Sequence, residues 1–279
     1  KTPVLIMVTG SGLQNRDEEM FGHKPFAVIA DAFARAGIAT LRYDDRGFGE
    51  STGDVVFCTT EDLKNDALAG IRILRERFDN VGVLGHSEGG TIALMLAAEK
   101  QVDFAISLAG MIVSGAETLL AQNRQACQAV GLPESEVDAY CRLLSDTFDA
   151  IKTKSPLPSA DDYNLSDGLT QNYKAGLSQL STPYMEYFVS LDLSQRLSSV
   201  TCPVMALNGT KDSQVQCDRN LGVLKSFLPS GGKNLIKAEI GLNHLFQHST
   251  TGALSEYKEI EETISPEVLS EMIAWVKAL

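Results

Sequence analysis

Basic residues are scarce in this chain of 279 residues. Lys and Arg together number 24 against 36 Asp and Glu, so the formal net charge is −12. No cluster of Lys or Arg offsets this surplus, and an acidic surface repels phosphate backbones. We therefore expect no nucleic-acid partner. The same balance disfavours an anionic substrate, unless a local basic pocket overrides it.

Several other signals are missing. No apolar run reaches the roughly 18 residues that a membrane-spanning helix needs, so we expect no membrane span. The five cysteines form no C-x-x-C pair and no His-rich cluster, so we expect free thiols and no metal site. A bridge such as Cys127 to Cys141 stays open. The segment Gly10-x-Gly12 lacks the third glycine of a dinucleotide fingerprint, and no P-loop is present. We expect no cofactor.

The first residues carry no signal peptide. The chain opens with Lys1-Thr2-Pro3 and enters an apolar run at once. This abrupt start indicates a trimmed sequence or a domain cut from a longer protein. An exported, periplasmic form therefore stays open.

Short apolar runs alternate with longer helical patterns over residues 1–112 and again over 198–279. Val4–Val8 and Phe104–Leu108 are apolar without alternation, which is typical of strands buried on both faces. We therefore predict an α/β fold, a mostly parallel sheet flanked by helices. Residues 113–197 show no convincing strand and several helical stretches. We predict that they form an all-helical insertion into the core.

The motif G-x-S-x-G occurs at Gly85-His86-Ser87-Glu88-Gly89, between a predicted strand and a predicted helix. A serine on such a turn has a strained backbone, and the small flanking residues let the neighbouring chains pass. We predict Ser87 as a nucleophile and the backbone N–H of Glu88 as a donor to an oxyanion. The alternative is an ordinary Gly-rich turn.

A serine hydroxyl needs a base to become a nucleophile at neutral pH. In enzymes whose serine lies on a G-x-S-x-G turn between a strand and a helix, the catalytic residues follow in the chain order serine, acid, histidine. His244 directly follows the last predicted strand, and we prefer it over His248 as the base. Asp212 lies in the loop after the preceding strand, and we predict that it orients the imidazole. Asp218 is the alternative acid.

The loop after the first strand, Thr9-Gly10-Ser11-Gly12, is the candidate for the other half of an oxyanion hole. Glycines let backbone amides come close to a substrate oxygen. We predict the N–H of Ser11 as the second donor, with Gly12 or Leu13 as alternatives. A plain Gly-rich turn is the other interpretation.

Four segments together resemble the α/β-hydrolase superfamily, and the resemblance extends over residues 4–279. The segments are residues 10–18, 43–51, 85–90 and 208–212. The chain is similar to bacterial esterase-like members close to the serine aminopeptidase (S33-type) and cinnamoyl or acyl esterase groups. Thr9 stands where the family usually has His, and the two strands that usually come first are missing.

The resemblance also implies roles for further residues. Arg46, in the segment that resembles Asp-Arg-Gly-x-Gly-x-Ser, is expected to be structural. The insertion 113–197 looks like a cap over the serine. Met111, Tyr184 and Phe188 are candidates for contact with substrate, although aromatic residues on a helix are more often part of a core.

The sequence therefore predicts a serine hydrolase that cleaves small-molecule carboxylic esters through an acyl-enzyme intermediate. A peptidase or amidase with the same triad is the main alternative. A thioesterase or lipase comes next, and a catalytically silent ligand-binding module is the alternative from outside the enzymes.

Overall fold

The core of the protein is a six-stranded parallel sheet, seen in a computed structural model that describes residues 2–279. The strand order is β2-β1-β3-β4-β5-β6, and every neighbouring pair is parallel. The strands are β1 (Val4–Val8), β2 (Ala39–Leu41), β3 (Val81–His86), β4 (Phe104–Leu108), β5 (Val204–Gly209) and β6 (Leu235–Glu239). The predicted α/β class with a parallel sheet is confirmed.

Eleven α-helices accompany the sheet within the described residues. They are α1 (Pro25–Arg35), α2 (Thr60–Arg75), α3 (Glu88–Ala98), α4 (Gly115–Ala129), α5 (Glu134–Thr153), α6 (Asp167–Leu180), α7 (Pro183–Ser190), α8 (Ser194–Leu197), α9 (Cys217–Phe227), α10 (Leu254–Tyr257) and α11 (Pro266–Lys277). Among residues 2–279, no helix combines the length and the apolar character needed to cross a bilayer.

The main apolar core lies between the sheet and two helices. Helix α1 contributes Phe26, Ile29 and Phe33, and α11 contributes residues at a four-residue spacing that places them on one helix face, Val268, Met272 and Val276. Helix α3 is buried on nearly all sides. Residues 88–97 are all buried, and residues 92–97 are at most 1 % exposed. It packs against β3 and β4, so the turn that joins β3 to α3 is held on both sides.

Residues 113–192, together with 56–60, form a second compact unit. It contains the helices α4 to α7 and a short 3₁₀ turn, and no strand among its described residues. Its own core includes Val137, Leu143 and Phe148 from α5. The buried Tyr173 hydroxyl lies 2.9 Å from Thr147 Oγ1. The predicted role of this region as a cap stays a prediction.

Element boundaries differ from the sequence prediction at a few points. The sequence pattern predicts a helix over residues 221–227, whereas helix α9 begins earlier, at Cys217, with a first turn that is mostly polar. Helices α8 and α10 have four residues each, too few to show a helical period. The sequence pattern predicts a strand over residues 38–43, whereas strand β2 has only three residues.

Candidate active site

Ser87 stands on a sharp turn at the carboxyl end of β3. Its backbone has φ 53° and ψ −119°, a conformation that costs a non-glycine residue of order 1–3 kcal/mol. The turn is held by neighbours: Ser87 N–H donates to the carbonyl of Leu108 on β4 at 2.8 Å, and Ser87 C=O accepts from Gly90 N at 2.9 Å. The strained turn between a strand and a helix is therefore present as the motif predicts.

Two glycines allow this turn to form. A Cβ atom on Gly85 would lie 1.9 Å from the carbonyl oxygen of Gly89, and one on Gly89 would lie 2.0 Å from the carbonyl oxygen of Val8. Both contacts are with backbone, which cannot swing away as a side chain can. Only glycine fits at these two positions.

His244 and Asp212 form a buried pair at the same edge of the sheet. His244 Nδ1 lies 2.7 Å from Asp212 Oδ2, and the two residues are 3 % and 7 % exposed. Asp212 follows β5, and His244 follows β6. Because the carboxyl ends of parallel strands meet at one edge, residues that are 32 positions apart come into contact.

Backbone amides hold the acid in place. Asp212 Oδ1 accepts hydrogen bonds from the N–H groups of Gln214 at 2.8 Å and Val215 at 2.9 Å. The other oxygen remains directed at the imidazole. This division of the two oxygens fixes the carboxylate plane.

The loop that carries the histidine is also ordered by side chains. Asn243 Oδ1 accepts from the N–H groups of Leu245 and Gln247, each at 3.0 Å, which closes a tight turn. His244 N–H donates to the hydroxyl of Tyr257 at 3.3 Å. Tyr257 was not predicted from sequence, because it lies on the four-residue helix α10.

The histidine loop contacts the serine turn through His86. Its Nε2 lies 2.9 Å from the carbonyl oxygen of His244, and the two imidazole rings are 4.7 Å apart between centroids. Among the described residues, no hydrogen bond joins Ser87 Oγ to the His244 imidazole. The triad as a catalytic unit therefore stays a prediction.

The two predicted oxyanion donors lie on the loop after β1 and at the start of α3. Ser11 is exposed, and Glu88 is buried as the first residue of α3, where the helix dipole provides partial positive charge. The N–H of Gly10 is already used, since it donates to Glu18 Oε1 at 2.8 Å. The roles of the Ser11 and Glu88 amides stay predictions.

A buried carboxylate that sequence reasoning did not single out supports this loop. Asp45 accepts hydrogen bonds from Thr9 Oγ1 at 3.0 Å and from Gln14 N–H at 2.8 Å. Burial raises the pKa of Asp45 to about 6. Thr9, which stands at the position of the usual His, thus joins the loop after β1 to the loop after β2.

The comparison with protein families decides the identity of the fold. The profile of the family described as "Serine aminopeptidase, S33" matches residues 23–227, well over half of the chain.

The chain belongs to this hydrolase family.

The matched region includes Ser87 and Asp212, whereas Ser11 and His244 lie outside it.

Two curated relatives are esterases by name. The chain is 34 % identical to Esterase EstD of Thermotoga maritima over 109 residues, 38 % of this chain and 26 % of that protein. It is 28 % identical to the mitochondrial palmitoyl-protein thioesterase ABHD10 of Mus musculus over 224 residues, 80 % of this chain and 63 % of that protein. The matches thus span about a quarter and just under two thirds of these relatives.

Among solved structures, the Pyrococcus furiosus esterase Pf2001 superposes with a TM-score of 0.55. The match covers 99 % of this chain and 80 % of that one at 16 % identity. An identity this low speaks for the fold alone, and that fold is the α/β-hydrolase fold that the sequence resembles.

The structure also places the two alternative triad residues, His248 and Asp218, and Arg46, which was expected to be structural. His248 is exposed, with Nδ1 2.9 Å from Glu262 Oε2, and Asp218 is an exposed residue in the first turn of α9. Arg46 forms a bidentate pair with Asp66, with both N–O distances 2.7 Å. The ion pairs of His248 and Arg46 are thus made with Glu262 and Asp66, respectively.

The predicted substrate contacts are packed residues. Met111 is 4 % exposed, and its N–H donates to Thr91 Oγ1 at 3.0 Å. Within the helical unit, Tyr184 and Phe188 stack with centroids 5.5 Å apart, and Phe188 is 6 % exposed. Tyr184 is the more accessible of these two rings, and contact of any of the three with substrate stays a prediction.

Proposed function

We propose that this protein hydrolyses carboxylic esters of small molecules, with Ser87 as nucleophile, His244 as general base and Asp212 as the residue that orients the base. The observation that carries the proposal is the buried 2.7 Å contact between His244 Nδ1 and Asp212 Oδ2. An acid on Nδ1 leaves Nε2 as the proton acceptor, which is the tautomer a serine nucleophile needs.

The reaction has two acyl-transfer steps. Ser87 Oγ attacks the ester carbonyl as His244 Nε2 takes its proton, and the oxyanion forms at the N–H groups of Ser11 and Glu88. The tetrahedral intermediate collapses when the C–O bond to the alcohol breaks and His244 returns the proton to the leaving oxygen. Water then attacks the acyl-enzyme by the same route, which releases the acid and restores the Ser87 hydroxyl.

Thioester hydrolysis is the second candidate. It is supported by the relative named as a palmitoyl-protein thioesterase, whose match covers 80 % of this chain. Amide hydrolysis is supported only by the description of the family as serine aminopeptidases. All three reactions use the same acyl-enzyme, so the leaving group separates them.

We also propose that the predicted insertion, residues 113–197, most of which belongs to the helical unit, acts as the cap that the resemblance implies. In that role it selects the acyl or the alcohol group, and Tyr184 is its candidate contact. The stacking of Tyr184 on Phe188 gives that ring a fixed position within the unit.

The test is a comparison of the wild-type protein with Ser87→Ala on three substrate types. We expect the wild type to turn over p-nitrophenyl acetate or butyrate, and Ser87→Ala to lose this activity with an unchanged circular dichroism spectrum. Acyl thioesters and aminoacyl p-nitroanilides, measured in parallel, rank the three leaving groups. Full ester turnover by Ser87→Ala would refute the assignment.

A further inference from the structure

Glu18 is a fully buried carboxylate that the reaction above does not use. It is 0 % exposed and has a left-handed backbone with φ 53°, unusual for a glutamate. Its N–H donates to the carbonyl of Asn15 at 2.9 Å, which closes the turn that holds it. A single oxygen, Oε1, accepts the N–H of Gly10 at 2.8 Å and lies 2.9 Å from His86 Nδ1.

His86 continues the contact on its other side. Its Nε2 lies 2.9 Å from the carbonyl oxygen of His244. A carbonyl can only accept, so Nε2 carries a hydrogen and donates it. The contact between Nδ1 and Glu18 Oε1 then holds one further proton, on either atom. In both cases the Glu18 and His86 pair is neutral as a whole, which suits a site where an unpaired charge would be costly.

The side chains of Glu18 and His86 therefore join three segments: the loop after β1, the serine turn after β3 and the loop after β6. We call residues 9–12 the oxyanion loop and residues 241–248 the base loop. Glu18 binds the oxyanion loop at the peptide that precedes Gly10, one residue before Ser11. His86 binds the base loop at the carbonyl of His244 and directly precedes Ser87 in the chain.

We propose that Glu18 and His86 are positioning residues that hold the oxyanion loop and the base loop in fixed positions relative to Ser87. The proposal rests on the function proposed above, in which Ser11 N–H and His244 act on the substrate. The hydrogen bonds of the two side chains go to backbone groups and to each other, and the His86 ring lies 4.7 Å from the His244 ring between centroids. Their effect is exerted through Gly10 and the His244 carbonyl, and a misplacement of about 1 Å can cost about 10²-fold in rate.

The first variant is Glu18→Gln. A glutamine oxygen at the Oε1 position could serve both Gly10 N–H and a protonated His86 Nδ1 only by leaving a buried imidazolium without a counter-charge. A neutral His86 has a single N–H, so either its Nδ1 lone pair faces the glutamine oxygen or its Nε2 lone pair faces the His244 carbonyl. At least one of the three contacts, with Gly10, with His86 Nδ1 or with the His244 carbonyl, must therefore weaken. We expect kcat for p-nitrophenyl butyrate to fall by about tenfold to 10²-fold, with KM within about threefold of wild type.

Two variants of His86 separate the two sides of the contact. The amide nitrogen of an asparagine reaches near the Nδ1 position, so His86→Asn retains a donor to Glu18 and loses the hydrogen bond to the His244 carbonyl of the base loop. The amide nitrogen of a glutamine reaches near Nε2, so His86→Gln retains the bond to the His244 carbonyl and loses Glu18. Each is expected to lower kcat with little change in KM.

Glu239→Gln is the matched control, because Glu239 is also a buried carboxylate, 8 % exposed, at the end of β6. Its Oε1 lies 3.0 Å from Lys237 Nζ in an ion pair. We expect its kcat to equal that of the wild type. Melting temperatures establish that each variant is folded, and titration with a fluorophosphonate counts the competent sites so that kcat refers to these alone.

The outcomes are distinct. A fall in kcat of tenfold or more in folded Glu18→Gln, with KM retained, supports the proposal, and a smaller fall overturns it. If Glu18→Gln does not fold, the same criterion applies to the two His86 variants. Full activity in Ser87→Ala would refute the proposed function itself. An inactive Ser87→Ala together with a fully active Glu18→Gln would refute only the positioning role.

Discussion

Each oxygen of the Asp212 carboxylate has its own partners. Oδ1 accepts two backbone N–H groups, and Oδ2 faces His244 Nδ1. A substitution that keeps the shape of this side chain but changes one oxygen therefore tests the imidazole contact with little change to the loop.

We predict that Asp212→Asn retains its fold and loses most of the proposed esterase activity. The remaining oxygen stays with the two amides, so the new NH₂ group faces Nδ1 and favours the tautomer that has its hydrogen on Nε2. That tautomer cannot take the serine proton, and the expected loss in kcat is roughly 10³–10⁴-fold. Steady-state kinetics and a thermal melt check this, and a kcat within tenfold of the wild type would contradict it.

Asp45 gives a prediction about stability and pH. Its pKa is raised by burial to about 6, so the folded protein holds this proton more tightly than the unfolded chain does. The associated stabilisation is present at low pH and is lost as pH rises through about 6. Asp45→Asn lacks this titration. We expect the free energy of unfolding of the wild type, minus that of Asp45→Asn, to fall between pH 4 and pH 7.

Urea denaturation of both proteins at several pH values measures this difference. The comparison cancels the titration of all groups that the two proteins share. A difference that stayed constant, or that grew with pH, would show that the Asp45 carboxylate is not held in a desolvated site.

At the scale of elements, the crossing of β1 with the first turn of α3 depends on the absence of side chains. We predict that Gly89→Ala destabilises the fold by more than about 3 kcal/mol, because its Cβ would lie 2.0 Å from the carbonyl oxygen of Val8. Gly222→Ala is the control. It lies within α9 with nothing within 4 Å of its Cβ position, and alanine there should stabilise by about 0.5–1 kcal/mol.

Soluble yield and urea unfolding of the two variants check this pair of predictions. If Gly89→Ala unfolded at the same urea concentration as the wild type, the close approach of the two backbones would be wrong.

The sheet and the serine turn could be predicted because their signals are local. Apolar runs such as Val4–Val8 mark buried strands, and the motif around Ser87 sits between a strand and a helix. Chain order then suggested His244 and Asp212, which the structure brings into contact.

The contacts that surround this pair are not local, and sequence alone did not reveal them. Glu18 and His86 are 68 positions apart, and Thr9 and Asp45 are 36 apart. Each contact depends on which turn conformation a loop adopts. For Glu18 this is a left-handed backbone that no residue type nearby announces. The only signal in the sequence was the presence of two acids, Glu18 and Asp45, in loops that follow strands.

At the scale of the whole molecule, the charge of −12 creates a negative field that salt screens. We predict that kcat/KM for an anionic ester, mono-p-nitrophenyl succinate, rises several-fold as ionic strength increases from about 0.01 M to about 0.1 M, where the Debye length shortens from about 30 Å to about 10 Å. The neutral ester p-nitrophenyl butyrate should change less than twofold. A fall for the anionic ester would reveal a basic pocket that attracts it.

The central claim is that Ser87 is the nucleophile, and covalent labelling tests it most directly. The wild-type protein is treated with a fluorophosphonate, digested and analysed by mass spectrometry, while ester hydrolysis is followed in the same sample. We predict a single phosphonyl group on the peptide that contains Ser87, with loss of hydrolysis in proportion to labelling and no label in Ser87→Ala. Label on a different residue, or hydrolysis that survives complete labelling of Ser87, would contradict the account.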